Sequence, residues 1–546
     1  MKRLESPQNQ SQHPALPILI VGLILLLALG LRLSNIASAS LWIDEIYSLI
    51  VANTHLFPER LDTQIHTAQY YYTHYLSWQP MDMNRLLALL KINVHMPLYY
   101  LLVNPWMGWF GNHAAGLRSF SALWSTLMIL PVFGLGQALG GRRAGYLCAL
   151  VAALAPFQIY YGQEGRMYAL SLFWTACSGL AFWKLLYGQH PWRWAWLYAL
   201  FSAGGMLSHY MFVFFLGFQF VFGCVELFQS KTRQSKNEKN KNGQKALLFL
   251  PALALLTGIA FLWLPVYQMQ QQGVNDEYHF AKGWVAWSRY LTVPLWQPLV
   301  VMAGDNRLVR AFYFPLTLLS FVGIAWGALV HKISISRKRE GYMLAWILGP
   351  LFLQIAYDAI KHTHISIIDR YAMLIAPAMC LWVGLALHRW LQTKSGLRPK
   401  LGLAVLAGML FLAIGCVWAP SPFRDEHNKD DNIRQKIRYF TSQAQPNDLI
   451  FANGPWGAPN LAAYYLHQSR PAQPMLYWIN QFNGQTVPLP KPALLQPYQR
   501  VWLFRHRANN ERGLQTCKDY LQALYPHVVK THDWFIYSRT APASKP

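Results

Sequence analysis

Acidic residues are scarce in this chain, which has 23 Asp and Glu against 47 Lys and Arg in 546 residues. Charged residues make up 13% of the sequence and hydrophobic residues 54%. Soluble domains carry roughly 25% charged residues, so this composition excludes an ordinary soluble protein. The chain is predicted to be an α-helical polytopic membrane protein.

Cysteine is also scarce, and its spacing excludes two kinds of site. The six cysteines show neither a metal-ligand spacing nor a disulfide framework. The histidines at 55, 66, 74, 362 and 364 lack a compelling ligand spacing as well. No metal site is therefore predicted, and the cysteines are interpreted as small apolar packing residues: Cys148, Cys177, Cys224, Cys380, Cys416 and Cys517.

The net charge of +24 would suit a nucleic-acid partner if it were concentrated on one soluble face. Instead, the basic residues gather in short clusters between apolar runs, so no nucleic-acid partner is predicted. By the positive-inside rule these loops are cytoplasmic. The clusters are Arg142-Arg143, Lys184 to Arg193, Lys231 to Lys245, Lys332 to Arg339 and Arg389 to Lys400.

Windows of about 20 mostly apolar residues predict eleven spans. They cover 15–35, 117–139, 142–160, 166–187, 192–208, 209–228, 246–268, 309–331, 342–359, 367–390 and 401–419. An odd number of spans puts the two termini on opposite sides of the membrane. With the basic loops in the cytoplasm, the N-terminus (1–14) is cytoplasmic and residues 420–546 lie outside the plasma (inner) membrane. The outer side also receives loop 36–115, with interfacial helices, and loop 269–308. Ala37-Ser38-Ala39 resembles a signal cleavage site, but an uncleaved first span is preferred because it anchors the next segment.

The segment 420–546 is predicted to form a small extracytoplasmic α/β domain beside a transmembrane domain of residues 15–419. Short strand-like runs occupy 448–452, 500–504 and 534–537. Helical patterning covers 458–468 and 511–524. The sequence does not name the role of this domain.

Asp44 and Glu45 stand together in an aromatic, apolar run shortly after the first span. Carboxylates near a membrane are unfavourable unless they have a partner or a function. One interpretation is an interfacial acid paired with a nearby arginine. The other is a catalytic base that faces a lipid-borne substrate.

Further polar residues fall at the predicted outer ends of spans. His95 precedes Pro97, which suits a helix start and leaves His95 near an anion-favouring N-terminus. Glu164 and Arg166 share a very short turn, where Arg166 suits a phosphate or pairs with Glu164. Anchoring an interface remains the alternative for the rest: Arg118, Ser208-His209-Tyr210 and Asp369-Arg370-Tyr371.

An ordered set of motifs resembles the family 39 glycosyltransferases of the GT-C type, relatives of protein O-mannosyltransferases and aminoarabinose transferases. It covers roughly residues 15–390. Met96, Gly162 and Gly165 stand where Pro, Ser and Ala are usual, which bears on the local backbone shape more than on activity, because the polar residues of the motifs are in place. The motifs are Asp44-Glu45, His95 to Tyr100, Gly141 to Gly145, Pro156 to Tyr161 with Gln163 to Tyr168, and Ser208-His209-Tyr210.

The resemblance implies a sugar transferase that takes its donor as a polyprenyl-phosphate sugar at the outer membrane face. Asp44 maps onto the catalytic base, and its neighbour Glu45 is the second candidate catalytic residue, which would assist Asp44, bind the acceptor or hold the loop. Arg118, Arg166, Arg370 and His95 would contact the donor phosphate. Glu164, Tyr161, His209 and Tyr210 would contact the sugar or the acceptor. A divalent cation is possible, membrane lipids surround the enzyme, and the acceptor is a lipid, a protein or a polysaccharide.

Two other functions are compatible with parts of the pattern. A transporter or flippase would show charged or broken positions near mid-span and an inverted repeat, and neither is evident. A transferase of lipid-linked oligosaccharides would use the same architecture, and the sequence does not separate it from the main hypothesis. A catalytically inactive scaffold is a third alternative.

Overall fold

The computed structural model describes most of the chain. The described residues are 15–58, 61, 63–92, 95–232, 247–273, 337–363, 365, 368–393, 396–418, 433–454, 457–479, 481–482, 485–505, 511–531 and 534–541. Helices dominate up to residue 418, and a mixed sheet with flanking helices follows.

The helical part begins with an apolar helix and a set of shorter helices, joined by one short strand. These are α1 (Ala15–Leu33), α2 (Ile43–Ala52), β1 (Ile65–Thr67), α3 (Ala68–Tyr75), α4 (Met83–Ile92) and α5 (Leu98–Phe110). Polar side chains define several starts: Thr67 accepts the N–H of Tyr70, and Asp82 accepts those of Asn84 and Arg85.

The remaining helices of this part are mostly long and apolar. They are α6 (Ala114–Leu127), α7 (Ile129–Gly140), α8 (Arg142–Leu154), α9 (Pro156–Gly162), α10 (Tyr168–Tyr187), α11 (Pro191–Ser208), α12 (Phe212–Thr232), α13 (Leu250–Gly273), α14 (Arg337–Lys361), α15 (Ala376–Leu391) and α16 (Leu397–Trp418). A 3₁₀ helix, Asp369–Leu374, precedes α15.

Ten of the eleven predicted spans coincide with these helices, and the span predicted at 309–331 lies outside the described residues. By length and composition, six stretches of the described chain are long and apolar enough to cross a membrane. They are Leu16–Leu33, Ala114–Gly140, Tyr168–Tyr187, Leu250–Gln268, Lys338–Lys361 and Leu397–Trp418. The polytopic helical architecture is confirmed, while the count of eleven stays a prediction.

The span predicted at 142–160 is broken rather than continuous. Pro156 opens α9, and the helices α8 and α9 meet at an angle of 56° because a proline excludes the preceding residue from helical geometry. The carbonyls of Ala152 and Ala153, left open at the end of α8, accept hydrogen bonds from the buried Arg32 of α1 at 3.2 Å each. The break therefore leaves carbonyl groups that fix α1 against the end of α8. The helix α9 and the turn after Gly162 follow directly.

The C-terminal domain, described within residues 433–541, supplies five strands of a six-stranded sheet. Its helices are α17 (Ile433–Gln443), α18 (Gly457–Leu466), α19 (Pro492–Leu495) and α20 (Glu511–Leu524). Its strands are β2 (Leu449–Asn453), β3 (Pro474–Trp478), the short pair β4 (Gln481–Phe482) and β5 (Gln485–Thr486), β6 (Arg500–Arg505), β7 (His527–Thr531) and β8 (Trp534–Ser538). The three strands and two helices predicted from sequence are all present.

The sheet has the strand order β1-β3-β2-β6-β8-β7 and packs on both faces. Strands β3, β2 and β6 are parallel, whereas the outer strands pair antiparallel. Alternate residues of β2 separate two cores: Leu449 and Phe451 lie in the core that includes Leu521 of α20, while Ile450 and Ala452 join the core that continues into the membrane part.

Strand β1 connects the two parts of the molecule. Ile65, His66 and Thr67 come from the 36–115 segment, yet they pair antiparallel with Leu476, Met475 and Pro474 of β3. Three residues without apolar alternation carry no strand signal, so the sequence did not predict this edge. The division of the chain into two domains at residue 420 stays a prediction. The six-stranded sheet contains strands from both sides of that boundary.

Candidate active site

Asp44 and Glu45 occupy the first turn of α2, where exposed backbone N–H groups favour negative charge. Their environments differ sharply. The Glu45 side chain is fully buried, whereas 27% of the Asp44 side chain remains exposed. Only Asp44 is therefore open to a substrate.

Glu45 forms a bidentate ion pair with Arg118 of α6, at 2.7 Å to Nε and 2.6 Å to a terminal nitrogen. The same carboxylate accepts the N–H of Gly165 at 2.7 Å and that of Trp42 at 3.3 Å. These four bonds satisfy both oxygens. Glu45 thus follows the first interpretation of the acidic pair, an acid held by an arginine.

Arg118 uses all five of its N–H groups inside the protein. Besides Glu45, it donates to the carbonyls of Ile36, Ala39 and Ser40 at 2.9–3.0 Å. A guanidinium has five donors, so Arg118 keeps none for a phosphate in this arrangement. The structure does not support the predicted phosphate role of Arg118 and places it instead on the loop before α2.

The turn between α9 and α10 brings Arg166 to Asp44. Gln163 fixes this turn by donating to the carbonyls of Leu31, Arg32 and Ser34 at the end of α1. Gly165 has no room for a side chain, because a Cβ atom there would lie 2.5 Å from Leu117. The close approach lets its N–H reach Glu45 and orients the next residue.

Arg166 is buried and directs its terminal nitrogens at the first turns of α2. One donates to the Asp44 carbonyl at 3.0 Å and to Ser48 Oγ at 3.1 Å. The other lies 3.8 Å from the Asp44 carboxylate and 2.9 Å from His95 Nε2. Because a guanidinium only donates, His95 Nε2 accepts and its proton is on Nδ1. These contacts join Arg166 to α2 and to His95, and the local Glu164–Arg166 pair considered from the sequence stays a prediction.

Arg370, in the 3₁₀ helix, supplies a second positive charge near Asp44. Its charge interacts with Asp44 and with the hydroxyls of Tyr161 and Tyr168, and its guanidinium lies 5.6 Å from the ring centre of Tyr371. Among the described residues, no hydrogen bond or ion pair engages the Arg370 guanidinium. Within the part of the chain that the structure describes, Arg166 also keeps its buried Nε without a hydrogen-bond partner, so both Arg166 and Arg370 have donors to offer.

His209 lies in the turn between α11 and α12, outside both helices, and joins this cluster. Its ring is 5.9 Å from that of Tyr168 and 5.7 Å from that of Tyr371. Nδ1 accepts the N–H of Met211 at 3.1 Å, which leaves the proton on Nε2. Burial and the charges of Arg166 and Arg370 lower the pKa of His209 to about 3. The imidazole is therefore a neutral donor.

The other predicted sugar or acceptor residues are placed differently. Tyr161 is buried in α9 with its ring 5.4 Å from Tyr168, and Glu164 is buried in the turn and acts electrostatically on Tyr168. Tyr210 instead accepts a hydrogen bond from Trp263 of α13 at 2.6 Å. Its predicted contact with sugar or acceptor stays a prediction.

Sequence reasoning missed Ser48 as a member of the site, and it included Tyr168 and Tyr371 only within longer motifs, without a role of their own. Ser48 had a usable signal, since it stands four residues after Asp44 and so on the same helix face. The two tyrosines had none, because aromatic residues are common throughout this chain. Among the described residues, no group of three His, Cys, Asp or Glu side chains is placed to hold a metal ion.

Comparisons with known proteins bear on the fold. A scan against protein-family models and a search of curated proteins gave no match. The structure is similar to apo ArnT, an aminoarabinose transferase from Cupriavidus metallidurans, with a TM-score of 0.54 and 11% identity over 97% of this chain and 98% of that one. An apo oligosaccharyltransferase from Archaeoglobus fulgidus gives a TM-score of 0.49 and 14% identity over 90% and 70%.

The likeness to ArnT shows that this chain has the GT-C fold of membrane glycosyltransferases. The resemblance inferred from the motifs is thus confirmed as a fold. With 11% identity, the chemistry of this chain rests on its own site residues.

Proposed function

We propose that the protein is a membrane glycosyltransferase that moves a sugar from a polyprenyl-phosphate donor to an acceptor hydroxyl. The observation that carries this proposal is the partly exposed Asp44 carboxylate, placed 3.8 Å from Arg166 and within electrostatic reach of Arg370. Two guanidinium groups beside one partly exposed carboxylate favour a phosphate-bearing substrate next to the base.

The transfer step uses these groups as follows. An acceptor hydroxyl oxygen attacks the anomeric carbon, and its proton passes to the Asp44 carboxylate. The bond from the anomeric carbon to the phosphate oxygen breaks, and the polyprenyl phosphate leaves with the electron pair. The leaving phosphate gains negative charge, which Arg370 and Arg166 stabilise electrostatically.

The two flanking imidazoles serve as fixed neutral groups in this proposal. His95 accepts from Arg166 and so holds the guanidinium against α2. His209 presents its Nε2–H as a neutral donor for a sugar hydroxyl or a phosphate oxygen. Glu45 and Arg118 are assigned a structural role, because their hydrogen-bonding groups are already used.

An outer location of the site is part of the proposal, and the helix ends support it. The site residues stand at one end of α9, α10 and α11, while basic residues mark the other end of the same helices or their partners. These are Arg142 at the start of α8, Lys184 near the end of α10 and Arg193 at the start of α11. Positively charged loops face the cytoplasm, so the site faces outward in the plasma (inner) membrane.

A direct test of the function supplies purified protein in lipid with a panel of polyprenyl-phosphate sugars. Release of polyprenyl phosphate, measured together with the glycosylated product, is the expected result. Because no acceptor is specified by the site, extracts of outer-membrane lipids, proteins and polysaccharides serve as acceptors. Uptake of donor into proteoliposomes without any transfer would instead support a transporter.

Arg370→Gln is expected to weaken donor binding about 10- to 100-fold, since a hydrogen bond to a charged group contributes roughly 1.5–3 kcal/mol. The affinity for polyprenyl phosphate can be measured by native mass spectrometry or by displacement of a labelled lipid. Arg193→Gln is the matched control, because Arg193 is an exposed arginine near the start of α11, at the end of that helix away from His209 and the site. Equal affinities of the two variants would show that Arg370 does not contact the phosphate.

His209→Gln is expected to make the stability of the protein less dependent on pH. The folded pKa of about 3 lies below the ordinary value of 6.5. As the pH falls from about 7 to 4, the unfolded chain binds a proton that the fold excludes, so stability is lost by up to about 1.4 kcal/mol per pH unit. Thermal unfolding in detergent across this range measures the loss. The exposed His74 provides the control, His74→Gln, and an identical slope in both variants would contradict a neutral buried His209.

A further inference from the structure

The loop that leads into α2 is held by two arginines from different parts of the chain. Arg118 of α6 binds the carbonyls of Ile36, Ala39 and Ser40. Arg434 of the C-terminal domain binds the two carbonyls between them. It donates to Ala37 at 2.9 Å and to Ser38 at 3.2 Å. The five consecutive backbone carbonyls of residues 36–40 therefore accept hydrogen bonds from two guanidinium groups, one of which belongs to the C-terminal domain.

Two adjacent tyrosines of α18 fix the starts of two site helices. Tyr465 accepts the N–H of Leu41, just before α2, at 2.7 Å. Tyr464 accepts the N–H of Ala114, the first residue of α6, at 2.8 Å. The Ala114 N–H has no partner within α6, so the Tyr464 hydroxyl caps that helix, whereas Tyr465 holds the residue two positions before the start of α2. The helix that follows Leu41 carries Asp44, and the capped helix carries Arg118.

The start of α18 also touches α2 directly. Gly457 donates its N–H to the hydroxyl of Tyr47 at 3.3 Å. A Cβ atom at Gly457 would lie 2.3 Å from Cδ1 of Ile43, the residue before Asp44. This approach is too close for any larger residue without displacement of Ile43. The C-terminal domain and the first turn of α2 are thus fitted to each other at van der Waals distance.

We propose that the C-terminal domain positions the catalytic helix, with Arg434, Tyr464 and Tyr465 as positioning residues for Asp44. This inference rests on the proposed transferase function and gives the domain a part in it. A domain that only recruits acceptors would need contacts with the acceptor path. The contacts found here instead fix the backbone on both sides of Asp44: the loop before it and, through Tyr47, the helix after it.

The double variant Tyr464→Phe/Tyr465→Phe tests the inference while it preserves ring packing. We expect kcat to fall about 10- to 100-fold with little change in the KM for the donor, since displacement of a catalytic group by about 1 Å can lower a rate about 100-fold. Hydrogen–deuterium exchange of a peptide spanning residues 36–47 should become faster. Tyr520→Phe is the control, because its hydroxyl bonds to the Pro490 carbonyl within the C-terminal domain.

A second pair of variants tests the same contact by crowding. Gly457→Ala should lower kcat by pressing on Ile43, and adding Ile43→Val should recover part of the loss, because valine lacks the Cδ1 atom at 2.3 Å but keeps the Cγ1 atom at 2.9 Å. A variant that merely destabilised the C-terminal domain would not recover in this way.

Three results would overturn the inference. The tyrosine double variant could match Tyr520→Phe in kcat, or raise the KM for the acceptor alone, or leave exchange at residues 36–47 unchanged. A wild-type protein that releases no polyprenyl phosphate would instead contradict the proposed function. The exchange experiment does not depend on activity, so it still decides whether these contacts hold α2.

Discussion

Asp44→Asn is expected to lower the rate of sugar transfer by about 10²- to 10⁴-fold, the usual contribution of a general base. Asparagine has nearly the same shape as aspartate but cannot take the acceptor proton. The Arg166 contacts with the Asp44 carbonyl and with Ser48 do not depend on the Asp44 side chain, so the turn should keep its place. Donor affinity should change far less than kcat, and single-turnover release of polyprenyl phosphate measures the two separately.

Asp82→Asn is the matched control for this substitution. Asp82 belongs to the same 36–115 segment and is half exposed, and its hydrogen bonds to Asn84 and Arg85 N–H groups suit an amide oxygen as well. Its transfer rate should stay close to that of the wild type. If Asp44→Asn transferred sugar as fast as Asp82→Asn, another group would have to be the base.

The sequence predicted those features that depend on local pattern. Ten of the eleven apolar windows coincide with described helices, and short strand-like runs gave β2, β6 and β8. Pro97 was expected to start a helix, and α5 begins at Leu98. The acids and arginines of the site were selected because charge is rare in this chain.

The sequence could not assign the partners of these charged residues, because they are distant along the chain. Glu45 and Arg118 are separated by 73 positions, and Arg166 and Asp44 by 122. No spacing rule distinguishes Arg118, whose donors are all used, from Arg370, whose guanidinium no described residue engages by a hydrogen bond or ion pair. The contacts of Arg434 with Ala37 and Ser38 span nearly 400 positions and connect two parts predicted as separate domains.

Substitutions of the adjacent residues Asp44 and Glu45 are therefore expected to have different effects, one on the transfer rate and the other on stability. Glu45→Gln should destabilise the protein by about 3–5 kcal/mol, because it leaves the buried charge of Arg118 without its counter-charge. The lost stability appears as a lower unfolding temperature in detergent and a smaller monodisperse fraction. Asp44→Asn should show neither change, since its side chain is partly exposed and its loss affects the chemistry alone.

A double-mutant cycle separates this structural role from catalysis. Glu45→Gln/Arg118→Gln should be more stable than the sum of the single changes predicts, with a coupling of about 0.5–3 kcal/mol for residues in direct contact. The exposed ion pair of Asp82 and Arg85 is the reference, where removing one partner should cost no more than about 1 kcal/mol. A Glu45→Gln protein that unfolds like the wild type yet transfers no sugar would return Glu45 to the catalytic role predicted from its sequence position. A destabilised protein that keeps its kcat would establish that one acid of the pair builds the site and the other performs the reaction.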